Sequence, residues 1–294
     1  LISRLEIWNP IEILLELNTN QQNVSIYFTL DGSIPSINSI RYDQPIRIKK
    51  ADIDQDGNLT ATVVRARLLS NDGDDASPIV TQTYFVNQNI GGHFSLPVVS
   101  LVTDPAYFFD SDIGIYHTNN FRQRGKKWER PISISFYDLE NDDYYYQEAL
   151  VRIHGSATRG LFQKSLRFYA ENTYDTDEVL EYEFFPDYLG RGTNEPMDAF
   201  STLLFRNSGN DYSTTFFKDA MIQGLMSHTT QDFQAYRPVN VFLDGQYWGI
   251  YNIRERLDEY FVSNHYGISP DEVLMYEIDA REDFYGQPIE DNEY

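Results

Sequence analysis

The stretch VRIHGSATRG (residues 151–160), followed by QKSLRF (residues 163–168), defines a hairpin around which the rest of the chain can be ordered. Val151 to Ile153 reads as a strand. Gly155 and Gly160 bracket small hydroxylated residues in a loop, and the chain returns as a second strand bearing Lys164. Glycine lets backbone amides approach an anion closely, and hydroxyls add donors. A lysine on the returning strand can reach phosphates. Arg152, Arg159, Lys164 and Arg167 make this hairpin a basic island in a chain whose net charge is −22. A phosphate group needs such an island to overcome the general repulsion. The same pattern equally describes a Gly-Ser hairpin whose Arg and Lys pair with neighbouring acids, and a lone glycine-rich loop does not separate the two readings.

Downstream, Tyr212 to Met226 places Phe216, Phe217, Met221, Ile222 and Leu225 at helical spacing, with Asn210 or Asp211 as cap. Asp211 reads more readily as that cap than as a carboxylate at a ligand. Val239 to Ile253 reads as a hairpin turning at Asp244-Gly245. Trp248 to Tyr251 reads as core packing. Arg254 and Arg256 flank Glu255 as a surface salt-bridge cluster. Leu257 to His265 reads as a short helix ended by Gly267. Upstream, LPVVSLV (residues 96–102) opens this unit with a buried-strand signature, and Pro131 to Tyr137 is a further strand. Residues 11 to 87 are different: Val24–Leu30, Arg47–Lys50, Ala61–Leu69 and Ile79–Val86 are short strands separated by turns, which suggests a small β-sandwich. Gly91-Gly92 marks the boundary between the two parts.

The chain has 294 residues, enough for about two domains, and 41% of them are apolar, which excludes wholesale disorder. No apolar run reaches the length of a membrane span, and no signal peptide opens the chain. The acidic balance argues against nucleic acid as a partner. Cysteine is absent, so disulfides and thiolate metal sites are excluded. The 22 tyrosines and 19 phenylalanines favour a β-rich protein. Asp52, Asp54 and Asp56, with Gly57, copy the start of an EF-hand calcium loop. Position twelve is Val63, where a bidentate Glu is expected, so a solvated acidic turn is the default and a weak calcium site the alternative.

Two resemblances extend this reading. The segments IYFTLDGSIP (26–35), YDQPI (42–46) and VRAR (64–67) resemble the fibronectin III-like module at the C-terminus of chitobiases, which implies a spacer or accessory role for residues 1–88. LPVVSL (96–101), DIGIY (112–116), the 153–167 hairpin, LFRN (204–207) with Asn210-Asp211, and VFLDGQYWGIY (241–251) with Glu255 and Asp258 resemble the CotH kinase family. That resemblance covers residues 93–294. It implies an α+β chain: an all-β module, then a kinase-like N-lobe of antiparallel strands with a few helices, truncated before its C-lobe. It implies a secreted kinase that transfers phosphate from ATP, with Mg or Mn, to serines of secreted proteins such as spore coat components. By the resemblance, His154, Gly155, Ser156, Arg159 and Lys164 bind the phosphates, Glu255 lies near adenine or ribose, and Asp219 is a candidate partner for Lys164. The catalytic and metal-binding aspartates are expected beyond residue 294. A secreted surface or adhesion protein with a degenerate kinase-like domain is the alternative, and a carbohydrate-binding accessory ranks third.

Overall fold

The computed structural model describes residues 12–49, 58–71, 75–86, 94–170, 179–277 and 287–288. Asp52, Asp54 and Asp56, and with them the calcium reading, lie outside the described residues. In chain order the elements are β1 (Glu12–Leu15), β2 (Val24–Thr29), β3 (Ile40–Arg41), β4 (Ile46–Lys49), β5 (Thr62–Ser70), β6 (Val80–Tyr84), β7 (Val98–Val102), α1 (Pro105–Phe109), β8 (Arg130–Asp138), β9 (Asp143–Ile153) and β10 (Leu166–Tyr169). They continue with β11 (Leu180–Glu181), β12 (Ala199–Phe200), β13 (Thr202–Arg206), α2 (Lys218–Leu225), β14 (Tyr236–Leu243), β15 (Gln246–Glu255) and α3 (Glu259–Tyr266). Among the described residues 38% are strand and 15% helix, an α+β composition with strands dominant. It divides into two compact units. The first is Leu1–Gly114, Pro131–Glu148 and Val239–Ile250; the second is Ile115–Arg130, Ala149–Pro238 and Tyr251–Tyr294.

In the first unit, a four-stranded sheet in the order β3-β2-β5-β6 is accompanied by the β1-β4 pair. The strands alternate as the sequence pattern requires: Ile46 and Ile48 of β4 point inward while Arg47 and Lys49 point out. Leu15, Phe28, Ile46, Ile48, Val64 and Ala66 from both sheets form one buried cluster. This is the expected sandwich. In the same unit β7, buried along its whole length, pairs antiparallel with β8 and parallel with β14. A strand buried on both faces reads as a continuous apolar run, as residues 98–102 do. The parallel pair departs from the all-antiparallel expectation. More than 130 residues separate its strands, ample for the crossover that parallel pairing needs. The β14–β15 connection is the two-residue turn Asp244-Gly245, with φ of 47° and 82°, both positive as a type I′ hairpin demands.

In the second unit the strand order is β9-β10-β13-β15, all antiparallel, with Ile153 opposite Leu166 and Leu203 opposite Glu255. Helix α3 begins where Asp258 accepts the Phe261 amide at 3.1 Å and ends at Gly267 with φ of 69°, as its sequence signals. Helix α2 is shorter than its apolar spacing suggests. The Asp211 carboxylate takes the hydroxyls of Thr214 and Thr215 and the Lys218 amide (2.7 Å), and Phe216 sits at φ 65°. Residues 212–217 therefore wrap around one carboxylate instead of continuing the helix. Asp211 is therefore not the cap it was read to be: Phe217 flanks α2, and Asp211 organises the loop before it, whose hydrogen bonds hold its carboxyl well below the usual carboxylate range. No helix among the described residues is long and apolar enough to cross a membrane.

Candidate functional site

The site is built on the β9–β10 hairpin of the second unit. The His154 amide donates to Ser165 O at 2.8 Å and closes the ladder, after which the chain leaves through Gly155 at φ 100°, a conformation open to glycine. Residues 157–160 form one 3-10 turn, and Ser156, Ala157 and Gly160 are exposed at its tip. Beneath this tip the basic side chains are buried. Arg159 is 3% exposed and Lys164 7%. Arg159 donates to the carbonyl oxygens of Gly155, Phe121 (3.2 Å) and Gln123 (2.8 Å). The Lys164 ammonium donates to Leu161 O at 2.7 Å and lies over the rings of Phe121 and Tyr116, 4.7 and 5.3 Å from their centroids. Among the described residues no carboxylate pairs with either cation.

The lysine's backbone is gripped as firmly as its side chain. Tyr251 Oη donates to Lys164 O at 2.9 Å, and Tyr116 Oη lies 3.3 Å from Tyr251 Oη. One residue on, Ser165 Oγ donates to Asn207 Oδ1 (2.8 Å), Asn207 N donates back to Ser165 Oγ (3.0 Å), and Asn207 Nδ2 donates to Gln163 O (2.6 Å). Tyr116, Phe121, Asn207 and Tyr251 thus position the hairpin. From the sequence, Tyr116, Asn207 and Tyr251 fell within the segments of the family resemblance and Tyr251 read as core packing, but none of the four was placed at Lys164. Tyr116 and Phe121 come from more than forty residues upstream, and nothing local marks them as neighbours of Lys164.

Cations accumulate around the hairpin base. Arg152 faces Glu129 at 3.6 Å and Arg256 faces Asp258 at 3.2 Å. Arg206 and Arg254 share one carboxylate, Asp219, at 2.8 and 2.7 Å. Burial, then the neighbouring Arg124 and Arg152, push the Arg159 guanidinium down to about 10, and burial does the same to Arg167. Burial also lowers the Lys164 ammonium from its ordinary value. His154 records the same field. Burial first, then Arg167, Arg206, Arg256 and Arg159, depress its imidazole to about 3, so it is neutral at physiological pH. Its Nδ1 is buried without a hydrogen-bond partner.

Of the residues singled out from sequence, His154, Gly155, Ser156, Arg159 and Lys164 come together at this hairpin. Two expectations are corrected. Asp219 does not partner Lys164: it lies between Arg206 and Arg254, whose guanidinium forks fit a carboxylate better than one ammonium does and, against the cost of burial, hold its carboxyl low. Glu255 is spent inside the fold, at 3.0 Å from His265 Nε2 and accepting the Ala235 amide at 2.9 Å, so it is not free for an adenine or ribose. Arg254 and Arg256 are buried instead of forming a surface cluster. Burial raises the Asp258 carboxyl despite Arg256 beside it. Among the described residues no three His, Asp or Glu side chains come together to hold a metal ion.

Comparison with known proteins agrees with this architecture. Residues 151–294 match the CotH kinase protein family, and residues 15–84 match the family described as Fn3 associated. No curated protein matches the chain. The chain thus carries a domain of the CotH kinase protein family, preceded by an Fn3-associated module.

Proposed function

We propose that the β9–β10 hairpin seats the phosphates of ATP and that the domain serves transfer of the terminal phosphate to a serine of a secreted protein. The observation that carries this reading is the burial of Arg159 and Lys164 with carbonyls and ring faces as partners in place of carboxylates. A guanidinium cannot shed its proton at physiological pH, so a buried surplus of them is offset by an external anion. Phosphate oxygens fit the donor set: the amides and hydroxyl of the exposed Ser156–Gly160 tip, the remaining N–H groups of Lys164, and Arg159 behind them. His154, kept neutral, can face the same anion without adding to the repulsion among the arginines. ATP would supply the transferable phosphoryl group. This chain's residues bind and orient its phosphates and screen their charge. Mg or Mn would be needed by such chemistry, and the described residues do not form a ligand set for either. Export follows from the same family reading and is part of the proposal.

The test is isothermal titration of the chain with ATP, beside adenosine as the phosphate-free control. A charge-assisted hydrogen bond contributes about 1.5–3 kcal/mol, or about 10- to 100-fold in Kd. Lys164→Ala is expected to weaken ATP by that factor with adenosine unchanged, and Lys164→Arg to retain part of it. No ATP binding by the wild-type chain, or equal affinity in wild type and Lys164→Ala, would overturn the reading. Binding without phosphate transfer to any protein would favour the degenerate, non-catalytic alternative.

A further inference from the structure

An accessory spacer touches its neighbour lightly, and the Fn3-associated module does not. Within the first unit, Leu59 of the module and Phe85 just after it share one buried cluster with Val98, Tyr137 and Phe242 of β7, β8 and β14. Thr83 Oγ1 and Ser100 Oγ lie 2.7 Å apart, both buried, and Ser133 Oγ donates to Thr81 Oγ1 at 3.2 Å. The seam ends at the Asp244-Gly245 turn. There Ala61 N donates to Gly245 O at 2.8 Å. A Cβ on Gly245 would stand 2.2 Å from Ala61 O, and one on Gly32 would stand 2.5 Å from Asp244 Oδ1. Turn and module therefore meet backbone to backbone, where only glycine fits.

Asp244 lies in the middle of this contact. Its Oδ1 accepts the Thr103 amide at 2.9 Å. The charged groups facing it come from each element packed on it: Arg65 of β5, Asp104 at the start of α1, and Asp31 in the turn after β2. Each has another engagement. Arg65 donates to Gly32 O at 2.7 Å, Asp104 accepts the amides of Ile34 and Ala106, and Asp31 accepts Ser33. Two further acids, Asp104 half-buried and Asp31 exposed, and the buried Arg65 thus face a half-buried carboxyl group.

We propose that Asp244 is a proton-operated latch: its neutral carboxyl holds the Fn3-associated module against β7 and the β14–β15 turn, and its ionisation weakens that seam. The geometry places a carboxylate, once formed, in a half-buried position facing Asp104 and Asp31, where its charge is less well solvated than in water. The energetics run the same way. Burial first, with Asp104 and Asp31 adding and the Thr103 amide and Arg65 opposing, pushes the Asp244 carboxyl up to about 7 from an ordinary 3.8. The released module would lose this proton near the ordinary value while the docked one keeps it. Docking therefore weakens by up to about tenfold per pH unit as pH rises from about 4 towards about 7, and levels off above that.

The chain has no cysteine, so a single introduced thiol reports on the seam. Thr83→Cys, alone and with Asp244→Asn, is labelled by a thiol reagent between pH 5.5 and 7.5. The ratio of the two rates at each pH cancels the thiol's own ionisation. The latch predicts that Thr83→Cys labels at least about tenfold faster, relative to its Asp244→Asn partner, at pH 7.5 than at pH 5.5. A ratio that stays flat or falls with pH overturns the proposal. Ser100→Cys reads the same seam from the opposite side and serves if Thr83→Cys does not fold.

Discussion

The β9–β10 hairpin and the Asp244 turn are two answers to one difficulty, a buried charge with too few counter-charges. At the turn the charge is a carboxyl group, which a proton can neutralise: burial first pushes Asp244 up to about 7. At the hairpin the charges are guanidinium groups, and even pushed down to about 10 they keep their protons at physiological pH. Some find carboxylates, as Arg206 and Arg254 find Asp219. Among the described residues Arg159 and Lys164 do not, and the remedy proposed for them is an anion from outside. On the two proposals above, surplus positive charge in a chain of net charge −22 would be met by a ligand, whereas surplus negative charge at the turn would be met by a proton.

The largest expected effect separates compensated from uncompensated cations. Arg254 is 1% exposed and holds Asp219, Ala235 O and Gln234. Arg254→Met should lower unfolding stability by about 3 kcal/mol, because it leaves buried partners unsatisfied. Arg159→Met should cost only about 1 kcal/mol, since lost hydrogen bonds to carbonyls are offset by relief of repulsion from Arg124 and Arg152. Equal losses in chemical denaturation would erase the distinction. A smaller effect sharpens it. Glu129→Gln removes the acid facing Arg152 and adds to the positive field, so ATP should bind roughly two- to threefold tighter at low salt, with the gain lost as salt screens it. Weaker binding in that variant would mean that Glu129 orders the site and does not merely neutralise it.

Much of this arrangement is legible where the determinants are local. Alternating apolar residues place β4, and runs rich in β-branched and aromatic residues between turns place β2, β5 and β6. Asp244-Gly245 announces a turn with two positive φ angles, and Asp258 with Gly267 brackets α3. The sequence also brings His154, Gly155, Ser156, Arg159 and Lys164 to one hairpin. What escapes it depends on partners chosen in three dimensions. Asp219 on α2 had no local reason to prefer Arg206 and Arg254 over Lys164, and Glu255 is claimed by His265 one helix later. The apolar spacing from residue 212 signalled a helix, but Asp211 captured the hydroxyls and the amide that shape the loop before α2. The rings under Lys164 belong to Tyr116 and Phe121, distant from it in sequence and with no local signal that joins them to it.

The most direct test of the cationic site reads its field from within. The imidazole of His154, assigned among the chain's five histidines with a His154→Gln variant, is titrated by NMR with and without saturating ATP. The account predicts that the free protein's His154 stays neutral down to about pH 4, consistent with a value near 3, and that bound triphosphate raises it by offsetting the surrounding arginines. An ordinary titration near pH 6.5 in the free protein, or a titration that ATP leaves unmoved, would contradict it.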